Sequence, residues 1–234
     1  GVGRQLTRRL SQHGITTVLD LRDAHVATLR AEFGVVMEKT QRELQEIACI
    51  EMQDVQPARQ QIICSRSFGQ MVTELPVLQD ALSTFVANAC AKLRAQHSHA
   101  AVLQVFLQTN RFRRDLPQYM PSLAVPLPEP TDDTLEVNRW AHHLCHRMFK
   151  PEYAYKKAGV VLSEISPVTH RQGDLLEPVR ASNTRLMVAL DTLNQRFGRG
   201  TVKVSTQGAY TQWQMRQERK SPNYTTDWQD IPMV

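Results

Sequence analysis

The chain has 234 residues, 41% of them hydrophobic, which is apolar material enough for one or two packed domains and excludes a disordered chain. A formal net charge of +5 and a sequence pI near 9.2 come from Arg and Lys scattered along the chain, a balance that suits a polyanionic partner. Four widely spaced cysteines, three of them in apolar runs, point to a reduced, cytoplasmic protein, and no basic-then-apolar leader or run of about 18 apolar residues marks a secreted chain or a membrane partner.

Residue 1 falls in a Gly-x-Gly turn with no initiator Met, so the sequence is expected to start inside a larger protein. Residues 4–12 (RQLTRRLSQ) predict a short basic helix stopped at Gly14. Thr17 is placed to cap a second short helix (TVLDLRD), residues 25–33 predict a third and 35–47 a fourth, all with apolar positions at helical spacing. The charges of this opening block nearly cancel, so any grip on an anion must be local. Pro57 and a lapse of periodicity over 53–61 mark a linker.

From there the pattern reads strand, helix, strand, strand, helix, strand. QIICSRSF is the first strand, and Pro76 opens a helix with Leu78, Leu82, Phe85, Ala89 and Leu93 in one stripe. AVLQVFLQT is the second strand. Residues 122–127 form a short third, placed at a sheet edge by Pro121, Pro126, Pro128 and Pro130. Asp133 and Glu136 predict a capped second helix with Val137, Trp140, Leu144 and Met148 on one face, and YKKAGVVL is the fourth strand. This βαββαβ order predicts an α+β fold: a four-stranded sheet with two helices on one face and the other face left for a ligand. Beyond Ser166 comes a polar loop containing a short apolar peptide, then a helix over 184–196 ended by Gly198 and Gly200. TVKVS is a possible strand, and a mixed tail carries Trp213 and Trp228.

Several constellations invite a functional reading. Gly1, Val2 and Gly3 before a helix beginning at Arg4 are either an ordinary tight turn or a hairpin whose backbone amides reach a phosphate without Cβ obstruction. Ser65, Arg66 and Ser67 on the first strand, Arg111, Arg113 and Arg114 at the end of the second, and Lys156 and Lys157 on the fourth either form a solvated edge or contact successive phosphates. No strand carries the aromatic pair of an RNA-binding sheet. His142, His143, Cys145 and His146 include an i, i+4 pair, but no second cluster completes a zinc site, so no metal is assigned. No nucleophile elbow, P-loop, dinucleotide fingerprint or paired carboxylates on strands are present, so no catalytic residue is assigned. Gln172, Gly173, Asp174, Leu175 and Leu176 are either a plain loop or an exposed docking peptide.

The strings GVGRQLTRRLSQHGITTVLDL, RELQEIAC, QQIICSRSFG, YKKAGVVLSEIS, LDTLNQRFGRGT, QWQMRQ and SPNYTTDW together resemble the UmuC, MucB and RumB group of Y-family translesion DNA polymerases, from one end of the chain to the other. The resemblance implies a helix-hairpin-helix thumb over 1–54, a βαββαβ little finger over 55–166, and a tail over 167–234. It implies that Gly1, Val2, Gly3 and Arg4 touch the primer-side backbone, that the little-finger strands hold the duplex, and that Gln172 to Leu176 bind the sliding clamp. The clamp peptide departs from the family's Gln-Leu-small-Leu-Phe pattern at Gly173 and Leu176. The implied partners are primer–template DNA, the sliding clamp, a UmuD′-type accessory subunit and a RecA filament, in the setting of SOS mutagenesis. Nucleotidyl transfer and its Mg2+ are implied for the parent polymerase, upstream of residue 1, with no cofactor and no catalysis in this stretch. The alternative is a non-enzymatic adaptor that binds protein partners.

Overall fold

The structure, a computed structural model, describes residues 2–50, 58–169, 183–198, 200–208, 212–215 and 220–232. It divides into two compact units, Gly1–Pro57 and Ala58–Val234.

The first unit is helical: α1 Arg4–Gln12, α2 Val18–Asp23, α3 Val26–Phe33 and α4 Val35–Leu44. Gly14, at φ 76°, ends α1 in the left-handed region, and the Ile15 amide turns back to the Leu10 carbonyl at 3.0 Å. At the start of α2 the Thr17 hydroxyl accepts the Asp20 amide at 3.1 Å while the Asp20 carboxylate accepts the Thr17 amide at 2.9 Å, a reciprocal cap. The fourth helix stops at Leu44 rather than continuing to residue 47. Glu46 takes a φ of 64°, and the Ile47 amide returns to Arg42 at 2.9 Å. Leu10, Leu21, Leu29 and Met37 form the core. The buried Gln41 amide donates to the carbonyls of Arg22 and Ala24, and Gln45 donates to Arg22 at 2.7 Å, so α4 satisfies carbonyls left open at the end of α2.

The second unit carries β1 Ile62–Val72, α5 Leu75–Ala95, β2 Ser98–Thr109, β3 Ser122–Thr131, α6 Thr134–Met148 and β4 Tyr155–Pro167. All strand pairs are antiparallel, in the order β1-β4-β2-β3. Both helices lie on one face, where Ile62, Cys64, Phe68, Leu103, Val105, Leu107, Val160 and Leu162 meet the α5 stripe and Val137, Leu144 and Met148 of α6. Burying each such side chain contributes about 1.5–3 kcal/mol. The prolines of β3 sit in an edge strand, where one side of the backbone needs no ladder partner. The strands run longer than hydrophobic alternation predicts because register supplies partners. Ser98 and His99 of β2 pair with Pro167 and Ser166 and carry β4 to Pro167.

Helix α7 (Thr184–Phe197) and a 3-10 turn at Trp228–Asp230 follow. Helix α7 docks through Met187, which is buried, and through Asp191, which receives the Arg94 guanidinium at 2.6 and 2.8 Å. The possible strand TVKVS does not form. The Asn194 side chain bonds both the amide and the carbonyl of Val202, each at 3.0 Å, and closes this stretch into a loop on α7. Trp213 is buried in the sheet–helix core. No helix among the described residues is long and apolar enough to cross a membrane.

Candidate functional site

Period-2 alternation and the observed register divide the cations between the two faces of the sheet. Three successive cross-strand rows lie on the helix-free face: Ile63, Val161, Gln104 and Ala124; then Ser65, Gly159, Phe106 and Ser122; then Ser67, Lys157 and Gln108. The middle row is flat for a steric reason. A Cβ on Gly159 would lie 2.4 Å from the Ser65 Cβ and 2.5 Å from the Phe106 Cζ, so the Phe106 ring occupies that space across β4. The Lys157 ammonium sits 5.8 Å from the centroid of this ring, within cation–π range. Gln104 donates to Ser122 at 2.7 Å, which fixes the far side of the same surface.

Ser65, Ser67 and Lys157 are therefore neighbours on one face. Arg66 is not. It lies opposite Ala158, on the side that carries the helices, and projects into solvent at the sheet edge. Lys156 is also set apart, because a register shift at Gln108 and Thr109 leaves it as an extra residue between the pairs of Lys157 and Tyr155. Its ammonium bonds the Phe68 carbonyl of β1.

Arg111, Arg113 and Arg114 do not end β2, which stops at Thr109; they stand in the loop to β3. Arg113 is paired with Asp115 at 2.6 Å, and hydrogen bonds from this guanidinium hold the Asp115 carboxyl down to about 2. Arg111 lies against the ring of its neighbour Phe112, 5.2 Å from the centroid. Among the described residues no carboxylate forms an ion pair with Arg111, Arg114 or Lys157.

In the helical unit, Gly1 lies outside the described residues, Val2 is exposed, and Gly3 is the N-cap of α1 at φ −91°, a conformation open to any residue. Arg4 is exposed at the first position of the helix. Arg9 is committed internally, donating to the Glu32 carbonyl at 2.7 Å and covering the Phe33 ring at 4.9 Å. Gln172, Asp174, Leu175 and Leu176 lie outside the described residues.

The histidines of α6 are dispersed. His142 meets the Ser83 hydroxyl at 2.7 Å, and the Cys145 thiol is buried and pushed up to about 12 by desolvation. Mg2+ demands converging oxygen ligands. Among the described residues no three His, Cys, Asp or Glu side chains converge.

Sequence reasoning named Lys157 and the two serines but missed Phe106 and Gly159. Their signal is a cross-strand aromatic–glycine pair, visible only once the β2–β4 register is known.

The fold and this face define an α+β protein in which a helical unit precedes a four-stranded antiparallel sheet with one helix-free face that carries Lys157 among Ser65, Ser67 and Gln108. Residues 59–175, half of the chain, match the impB/mucB/samB family C-terminal domain, and the chain belongs to that family. Residues 184–234 match a domain of unknown function. The chain is 36% identical over its whole length to the protein UmuC of Salmonella typhimurium, covering 56% of that protein. It is 38% identical to the MucB protein of Escherichia coli, again over its whole length and 56% of the relative. It thus spans about half the length of the curated relatives it matches. A Y-family DNA polymerase chimera aligns over 71% of this chain and 46% of its own, at 14% identity and a TM-score of 0.42.

Proposed function

We propose that this chain is the DNA-holding and clamp-recruiting part of an error-prone translesion polymerase of the UmuC and MucB kind, acting in SOS mutagenesis and damage tolerance. The observation that carries the reading is the helix-free face on which Ser65, Ser67 and Lys157 surround the flat Gly159–Phe106 ground, on a chain whose relatives are UmuC and MucB. Hydroxyls and ammonium groups spaced along strands contact phosphates without reading sequence. Residues 1–54 act as a thumb, with Gly1, Val2, Gly3 and Arg4 on the primer-side backbone; 55–166 act as a little finger, aided by the loop cations Arg111 and Arg114; 167–234 act as the tail. Nucleotidyl transfer and its Mg2+ belong to a part of the whole protein other than these residues.

Primer–template titrations by fluorescence anisotropy at about 50 and 200 mM salt test the grip, because each neutralised phosphate steepens the salt dependence. Lys157→Ala is expected to weaken binding to every sequence alike and to lower the salt slope by about one. Salt-independent binding, or none, sinks the reading. Gln172→Ala combined with Leu175→Ala is expected to abolish capture by the processivity clamp, and unchanged capture removes that assignment.

The tail supplies a reason to include protein partners in the same reading. Helix α7 turns Leu186, Leu193 and Phe197 outward along one side, a surface suited to a UmuD′-type subunit or a RecA filament. Pull-down of each with Leu193→Asp separates partner docking from DNA holding.

A further inference from the structure

We infer that Phe112 is a stacking platform for an unpaired nucleobase, so that the DNA held at this end of the sheet is a single strand or a single-strand junction rather than uniform duplex. This deepens the DNA-holding reading and rests on it.

A lone exposed apolar residue on a surface needs no explanation by itself. Phe112, however, is 82% exposed on a loop built to present it. The Gln118 side-chain amide donates to the carbonyls of Asn110, Arg113 and Leu116 at 3.2, 2.9 and 3.0 Å, and its oxygen accepts the Thr109 hydroxyl at 3.0 Å. The Asn110 side chain accepts the Phe112 amide at 3.1 Å. The backbone is thus pinned on both sides of the ring, and stacking on it costs little further ordering.

The charges around the ring point to the same ligand. The Arg111 guanidinium lies 5.2 Å from the ring centroid and Arg114 stands two residues on, while Arg113 is neutralised by Asp115 at 2.6 Å. An aromatic face beside cations matches a base with its phosphate, since every base offers a π-face and the backbone supplies the charge. The loop also begins where the helix-free face ends: Gln108 pairs with Lys157, which pairs with Ser67, and β2 closes one residue later at Thr109. A backbone tracked along Lys157 and Ser67 leads to Phe112. Within a closed duplex each base is already stacked and paired, so only an unpaired base can take the ring.

The test uses the full chain, its Phe112→Ala, Phe112→Trp and Phe112→Leu variants, and three DNAs: blunt duplex, primer–template with a single-stranded overhang, and a single strand. Phe112→Ala is expected to change duplex affinity less than about twofold and to weaken the overhang and single-strand complexes by about 5- to 150-fold, the loss of one stacked base. Phe112→Trp restores them, and 2-aminopurine fluorescence in the overhang is quenched by the wild type but not by Phe112→Ala. Equal losses on all three DNAs, no loss on any, or full rescue by Phe112→Leu overturns the stacking assignment; the last marks a generic apolar contact with the DNA instead. In those cases wild-type binding to duplex persists and the grip reading stands. Failure of the wild type to bind any of the three overturns both.

Discussion

The indole Nε1 of Trp213 donates a 2.9 Å hydrogen bond to Oδ2 of Asp80, joining residues 133 positions apart. Both partners are buried, and the indole stands edge-on to Phe68 and Phe85 with centroids 6.2 and 5.5 Å away. The Trp213 carbonyl also accepts the Gly69 amide of edge strand β1 at 3.0 Å. A segment within the domain of unknown function thus closes part of an open sheet edge and fills a slot in the core.

Trp213→Ala is expected to lower the unfolding free energy of the second unit by about 3 kcal/mol, from lost aromatic burial and the loss of the indole hydrogen bond to Asp80. The Gly69 amide should lose hydrogen-exchange protection at the same time. Gly69→Ala should release the segment by another route, because its Cβ would lie 2.6 Å from the Gln214 carbonyl oxygen, which is backbone and cannot rotate away. Urea unfolding with exchange mass spectrometry measures both; protection at Gly69 unchanged in both variants would refute the clasp.

Gly159→Ala should disturb the helix-free face more than the fold. The new methyl collides with Phe106 and Ser65 and must push the ring out of the middle row, at a cost of about 1–3 kcal/mol typical of overpacking. The expected result is a modest fall in Tm and a clear loss of DNA affinity in the anisotropy titration. Intact affinity with the same fall in Tm would show that the flat ground does not touch DNA.

Among the described residues one ion pair joins helix α7 to the rest of the second unit. Arg94 is largely buried, makes two bonds to Asp191, and donates to the Asp132 carbonyl at 2.7 Å and the Thr134 hydroxyl at 3.0 Å. Asp191→Ala leaves a buried guanidinium half satisfied and is expected to cost about 2 kcal/mol, less than a fully buried pair, because Asp191 is partly exposed and two oxygens remain. Asp191→Asn, which keeps one acceptor, should cost less. A double-mutant cycle with Arg94→Met should return a coupling above the 0.5 kcal/mol or so seen for exposed pairs; a smaller value means that the ion pair adds little to the docking of α7.

Much of this fold was legible in the sequence because periodicity switches cleanly between 2 and 3.6 from β1 to β4, and because Thr17, Pro76 and Asp133 mark helix starts by local chemistry. What could not be read depends on distant partners. TVKVS alternates like a strand, yet its amide and carbonyl at Val202 go to Asn194 on the preceding helix. Trp213 looked like part of a mixed tail because its slot is built from Phe68, Asp80 and Phe85. Within the candidate site the split between Ser65, Ser67 and Arg66 follows from alternation alone, whereas the diversion of Lys156 needs the bulge, and the pairing of Gly159 with Phe106 needs the register.

The His142 environment makes the stability of the second unit depend on pH in a definite direction. Burial lowers the His142 pKa below the ordinary 6.5, against weaker upward pulls from the Gln79 carbonyl and Asp80. The Ser83 hydroxyl donates to the Gln79 carbonyl at 2.8 Å, so the short 2.7 Å contact with His142 is an Nε2–H donated to Ser83 Oγ, a bond that neutral imidazole makes. Because the unfolded chain binds a proton at His142 more readily than the folded one, the full contribution is present above pH 6.5 and is lost as pH falls through the depressed folded value. Wild type should therefore unfold at lower urea concentration at pH 5.5 than at pH 7.5, and His142→Gln, which has nothing to titrate there, should show a smaller difference between the two. Equal differences in wild type and variant would assign the acid sensitivity to other groups.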